Sequence, residues 1–239
     1  MKHLLYILFA FPLLLCCCQT SNEHNGNGDA NDTDGGYISA DATVTDSDRI
    51  AILSQQMQNM IAQYDDDPNP DLLKRALDIN DSISKIDTTE QGRFANLLFR
   101  SQILAKAGQM KEAIQIQEQL LSKDPNDIAR LQFYASKYWM EGKQDSMRIF
   151  ADKAIQNCDK LIADTTQEAN VIDEALINKL GIYQLVGDRT KAKEVNSKLA
   201  SRHPNDPNYQ MTDEEFNAEF DAAREEFNRN ASTYRNENK

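Results

Sequence analysis

Cysteine is scarce in this chain: of four in 239 residues, Cys16, Cys17 and Cys18 are contiguous and only Cys158 lies elsewhere. A disulfide scaffold is excluded, because a single thiol in the body has nothing to pair with. Histidine is scarcer still. Past His3 there are only His24 and His203, too far apart to gather a metal or a triad locally. No G-x-S-x-G, H-E-x-x-H, phosphate-loop or dinucleotide signature occurs. The expectation is a protein that is not an enzyme, with no catalytic residue, metal ligand or cofactor. Basic charge is also short, at 26 Lys and Arg against 38 Asp and Glu, for a net charge of −12. Such a surface is repelled by phosphate backbones and anionic headgroups, so nucleic acid is not an expected partner. Long apolar runs are absent except for Leu4 to Leu15, twelve residues that fall short of the ~20 needed to span a bilayer as a helix.

That run, preceded by Lys2 and ending on the three cysteines, has the layout of a secretory leader. Its end, LLLCCC, resembles the lipobox of bacterial lipoproteins. The resemblance implies cleavage before a cysteine that then carries acyl chains, placing the protein in the cell envelope, at the outer membrane on its periplasmic or surface face. Cys17, with Leu14 three residues before it, fits the attachment position narrowly better than Cys18. Cys16 ranks behind both, because bulky Leu15 precedes it.

Residues 17–48 form the expected acylated start and an acidic tether, in which Asn, Asp, Gly, Ser and Thr predominate and no core can form. As a flexible chain of about 30 residues, the tether would reach roughly 30 Å. Asp32-Thr33-Asp34-Gly35 with Asp41 resembles part of a calcium loop, but Ala30 stands where the first ligand belongs, and tether composition explains the stretch better. Helical periodicity starts at Ile50 and continues through Leu53, Met57, Met60, Ile61 and Tyr64, and after YDDDPNP it resumes through Leu72, Leu73, Ala76, Leu77, Ile83 and Ile86. This predicts a helical hairpin over residues 49–87. No segment shows the sustained alternation of a strand. The fold class expected is all-α.

Beyond Thr89 one layout occurs three times: a striped helix, a glycine turn, a second helix and a polar stop. The turns are Ala107-Gly108-Gln109, Glu141-Gly142-Lys143 and Val186-Gly187-Asp188, spaced 34 and then 45 residues apart. The longer spacing fits an insertion of about 11, accommodated by an overlong helix after Asp145 and the loop Asp164 to Glu168. A period of 34 is that of the tetratricopeptide repeat, which residues 88–208 resemble. Leu97, Ser101, Leu104, Ala113, Leu120 and Pro125 fall on or near signature positions in the first unit. Leu131, Ala135, Tyr138, Ala151 and Ala154 do so in the second, and Leu176, Tyr183, Ala192, Leu199 and Pro204 in the third. The resemblance implies an α-solenoid of about three helix pairs, with the hairpin at one end and a cap at the other. Thr212 to Glu215 is a capping box that opens this cap, residues 209–230, whose apolar stripe is Phe216, Phe220, Ala223 and Phe227. Residues 231–239 are expected to be a disordered tail.

Members of that family bind proteins or peptides in a groove lined by the first helix of each pair. Carried onto this chain, the groove would present Leu98, Gln102 and Lys106, then Gln132, Ser136 and Trp139, then Ile177, Gln184 and Leu185. Trp139, the only tryptophan, is either a partner anchor or packing between repeats. The function expected is that of a lipid-anchored adaptor for a protein or peptide. Two alternatives stay open: a lipoprotein subunit of an outer-membrane assembly or secretion machine, and a surface nutrient-binding lipoprotein.

Overall fold

The computed structural model describes residues 45–237 and 239. The leader, Cys16, Cys17 and Cys18, the calcium-loop-like stretch and nearly all of the tether lie outside the described residues. Among the described residues there are nine helices and no strand, so the chain is all-α.

Helix α1 (Asp46–Asp66) begins earlier than the apolar pattern suggests. Thr45 caps it, accepting from the Asp48 amide while the Asp48 carboxylate accepts from the Thr45 amide, a box closed by Asp instead of Glu. The tether boundary expected at residue 48 therefore moves back to Thr45. Asn69 caps α2 (Pro70–Ile86), with Pro70 in the first turn where its missing N–H costs nothing. The two helices close over Met57, Leu73, Ala76 and Ile83, with Ile103 from the next helix beneath them.

Three further pairs follow: α3 (Glu90–Lys106) with α4 (Met110–Leu120), α5 (Ile128–Met140) with α6 (Gln144–Ala163), and α7 (Ala169–Val186) with α8 (Arg189–Arg202). The three connections are one turn repeated. Gly108, Gly142 and Gly187 hold φ of 78°, 76° and 83°. The residue after each glycine donates its amide to a carbonyl five positions back: Gln109 to Leu104 at 2.8 Å, Lys143 to Tyr138 at 2.8 Å and Asp188 to Tyr183 at 2.9 Å. This is the left-handed closure that lets a helix end while its last carbonyls stay bonded, and glycine adopts it without strain.

The helices of each pair pack backbone to backbone, as do α2 with α3 and α6 with α7. The backbones of α4 and α5 stand apart. Large side chains, Met110 and Ile114 from α4 and Phe133 and Met140 from α5, fill the space between them. Helix α9 (Asp213–Glu237) completes that junction. The tail expected at residues 231–239 is therefore corrected: the helix runs on to Glu237, and Ala231 is fully buried against α4 and α5. Phe227, Ala231 and Tyr234 continue the apolar stripe at helical spacing through a run of polar residues, and that burial holds the last turns in place.

Candidate functional site

Helix α9 returns across the C-terminal ends of α7 and α5 to the start of α4, so the chain itself covers part of the expected groove. Phe216 and Phe220 at its beginning join the core of α7 and α8, beside Leu176, Leu180, Tyr183 and Val195. One turn further on, Arg224 lies over the Trp139 ring, 4.8 Å from its centroid, and donates to the carbonyls of Gln184 (3.3 Å) and Leu185 at the end of α7. The negative end of the α7 dipole favours a cation there. Burial nevertheless pushes the guanidinium pKa down. Phe227 enters the core formed by Leu131, Ala135, Ile182 and Leu185. At the far end, the Glu237 carboxylate accepts from the Met110 and Lys111 amides, at 2.9 and 2.7 Å. Gln109 gives α4 no side-chain cap of its own, so a residue 127 positions along the chain supplies it.

The nine expected groove residues therefore do not form one open surface. Leu185 is completely buried, and Gln184 and Gln132 are buried at 5% and 7% exposure. The reason is that α7 is covered nearly all round: every residue from Leu180 to Leu185 is buried. Trp139 is half-buried beneath Arg224, and its indole N–H meets no acceptor among the described residues. Lys106, the groove's one expected cation, is held by Asp65 at 2.6 Å, while its carbonyl accepts from the Tyr64 hydroxyl at 3.3 Å. Leu98, Gln102, Ser136 and Ile177 remain half-buried along α3, α5 and α7, with Ile177 packed on the α7/α8 core.

Residues that sequence reasoning did not single out also belong to this region. Met110, Phe133, Arg224 and Glu237 define where α9 sits, and the signal for them was the Ala231 and Tyr234 extension of the α9 stripe. Glu226, on the same helix, is half-buried; burial raises its pKa, opposed by Arg229 and Lys106. Tyr134, Tyr138 and Phe150 form a further cluster where α5 meets α6, with centroids 5.3 to 6.3 Å apart. Arg130 and Lys137 lie over the Tyr134 ring, Lys143 over Tyr138 and Lys153 over Phe150. Glu118 accepts from Lys137 at 2.9 Å and from the Tyr134 hydroxyl at 3.0 Å, and the Lys137 bond holds its carboxyl below the ordinary range.

No group of three or more His, Cys, Asp and Glu side chains that could hold a metal occurs among the described residues. His203 bonds Asp173 at 3.0 Å and lies against the Tyr209 ring, part of the packing that fixes the loop before α9. Cys158 is completely buried, and burial pushes its thiol pKa up to about 12. It is a core side chain. Searches for matching protein families, curated proteins and solved structures find no match to this chain.

Proposed function

We propose that the protein is a lipid-anchored helical-repeat adaptor that binds a protein or peptide partner in the bacterial cell envelope, at the outer membrane. The observation that carries this reading is the threefold turn: Gly108, Gly142 and Gly187 close three successive helix pairs with the same positive φ and the same hydrogen bond. Recurrence of one turn at a near-regular spacing supports a solenoid of tetratricopeptide type, an architecture whose use is to present an extended surface to other chains. The lipobox-like end at Cys16, Cys17 and Cys18 supports the anchor. The net charge of −12 leaves acyl chains, rather than basic patches, to hold the protein at a membrane. The burial of Trp139 under Arg224 disfavours the nutrient-binding alternative, which calls for an aromatic platform open to ligand.

Two experiments test the proposal. Labelled fatty acid fed to cells should be incorporated into the wild-type chain and lost when Cys17 and Cys18 are both replaced by Ala. Retention of the label would return attachment to Cys16. Crosslinking in intact envelopes followed by affinity capture should recover one protein at constant ratio to the bait. Repeated capture of none would sink the adaptor reading.

A further inference from the structure

Helix α9 is built in two parts. Its first half belongs to the body: Phe216 and Phe220 lie in the α7/α8 core, and the preceding loop is pinned by Tyr209 and Met211 packing on that core. Asn196 donates to the Tyr209 carbonyl, and Gln210 donates to the Ala200 and His203 carbonyls. The second half is held differently. Over residues 224–237 only Phe227 and Ala231 are fully buried, while Glu225, Asn228, Arg229, Ser232, Arg235 and Asn236 face solvent. Among its polar grips are Arg224 on the end of α7 and Glu237 on the start of α4.

This half closes the wedge on one side of the α4/α5 junction: Ala231 and Tyr234 pack on the Met110, Ile114, Phe133 and Met140 side chains, while Glu118 of α4 ties directly to Tyr134 and Lys137 of α5. Its fit is incomplete. The Trp139 indole N–H finds no acceptor beneath it, and the half-buried Arg224 guanidinium is met by carbonyls, with no carboxylate of the described residues paired to it. An occupant that leaves a buried donor unmet can be outcompeted by one that meets it.

From this seat, and resting on the adaptor reading, we propose that residues 224–237 are a built-in occupant of the partner site. The partner they stand in for is an amphipathic helix with an apolar stripe at i, i+4, i+7 spacing, which offers an acceptor to the Trp139 indole N–H and ends in a carboxylate that caps the amides of Met110 and Lys111. The wedge between α4 and α5 is the docking site, and the distal half of α9 is displaced when the partner binds. Helix-in-groove recognition of this kind is read through such i, i+4 anchors. An intramolecular occupant lowers the apparent affinity by the fraction of time that the site is closed.

The test uses a fluorescent synthetic peptide of residues 222–239 and fluorescence anisotropy. A chain stopped after Ala223 should bind it saturably, and replacing Glu237 of the peptide by Gln should weaken binding by about tenfold, the loss typical of a charge-assisted bond. The intact chain should bind the same peptide measurably but at least about tenfold more weakly, because its own helix competes. No binding to the stopped chain would overturn the docking site. Binding to the stopped chain but none to the intact one would make the distal half a fixed strut. Should the stopped chain not fold, hydrogen exchange on the intact protein decides: amides of 224–237 should exchange at least about a hundredfold faster than those of α7, and equal protection overturns displacement. None of these readouts involves acylation or the envelope, so an intact chain that fails to release its own helix is told apart from an envelope capture that recovers no partner.

Discussion

Replacing Gly142 by Ala separates a turn glycine from a helical one by the sign of its effect. The residue holds φ of 76°, and a Cβ added there would meet nothing within 4 Å. Sterics with neighbours therefore contribute nothing, and only the backbone cost of a left-handed L-residue remains, roughly 1–2 kcal/mol. Reduced freedom in the unfolded chain offsets part of that, leaving a net loss of about 1 kcal/mol. For a folded body of this size the midpoint of thermal unfolding should fall by roughly 2–4 °C. In urea the midpoint should drop by about 0.5 M, with the slope unchanged near about 2 kcal/mol/M. Gly142→Asn should lose less, because Asn tolerates this conformation better than Ala. Gly187→Ala should lose about as much as Gly142→Ala, since its Cβ would meet the Arg224 guanidinium only at an ordinary contact distance of 3.5 Å and the positive φ again sets the cost. A neutral or stabilising Gly142→Ala would refute the reasoning. A glycine in an ordinary helical turn gains roughly 0.5–1 kcal/mol from that change.

The remaining predictions concern packing and titration. Leu180→Ala, at 1% exposure in the α7/α8 core, should cost about 3 kcal/mol in urea unfolding. Phe94→Ala, at 37% exposure, should stay within about 0.5 kcal/mol, and a reversed order would show the core to be misplaced. Asp164 should titrate at about 2, because Thr166 and Gln167 side chains and the Thr166 amide donate to its carboxylate. A depressed carboxylate stabilises the fold above its unfolded pKa near ~4 and loses that contribution as pH falls toward its folded value. Thr166→Val should raise the pKa in an NMR titration, and an unmoved value would remove the hydroxyl from the explanation. With Cys16, Cys17 and Cys18 replaced by Ser, Cys158 should not react with a water-soluble thiol reagent at pH 8 until the protein is unfolded, given its full burial and a thiol pushed to about 12. Reaction at a free-thiol rate in the native state would contradict its core position.

Most helices were legible in the sequence because their starts and stops are local. Asn69 with Pro70, Thr212 with Glu215 and the three turn glycines act within a few residues, and the structure uses them where they stand. Other boundaries carry weaker local signals. The box at Thr45 closes on Asp48 instead of the usual Glu, and at the end of α9 Ala231 and Tyr234 sit among polar neighbours. The groove was less legible, for a physical reason. Adjacent residues on a helix point about 100° apart, so Gln184 and Leu185 could not both line one open face. α7 buries both. That α9 folds back to cover Trp139 and cap α4 depends on contacts between residues more than 80 positions apart, and no short-range pattern encodes these.

The cap that Glu237 places on α4 also orders the folding of the chain. Helix pairs close through neighbours near in sequence, whereas this bond waits for a loop of 127 residues to be brought together. Each pair can therefore collapse early, and the face of the α4/α5 seam that Ala231 and Tyr234 cover stays open until α9 arrives. In refolding experiments the seam should be sealed last, so its apolar lining of Met110, Ile114, Phe133 and Met140 is the surface most exposed to a chaperone or to aggregation along the way.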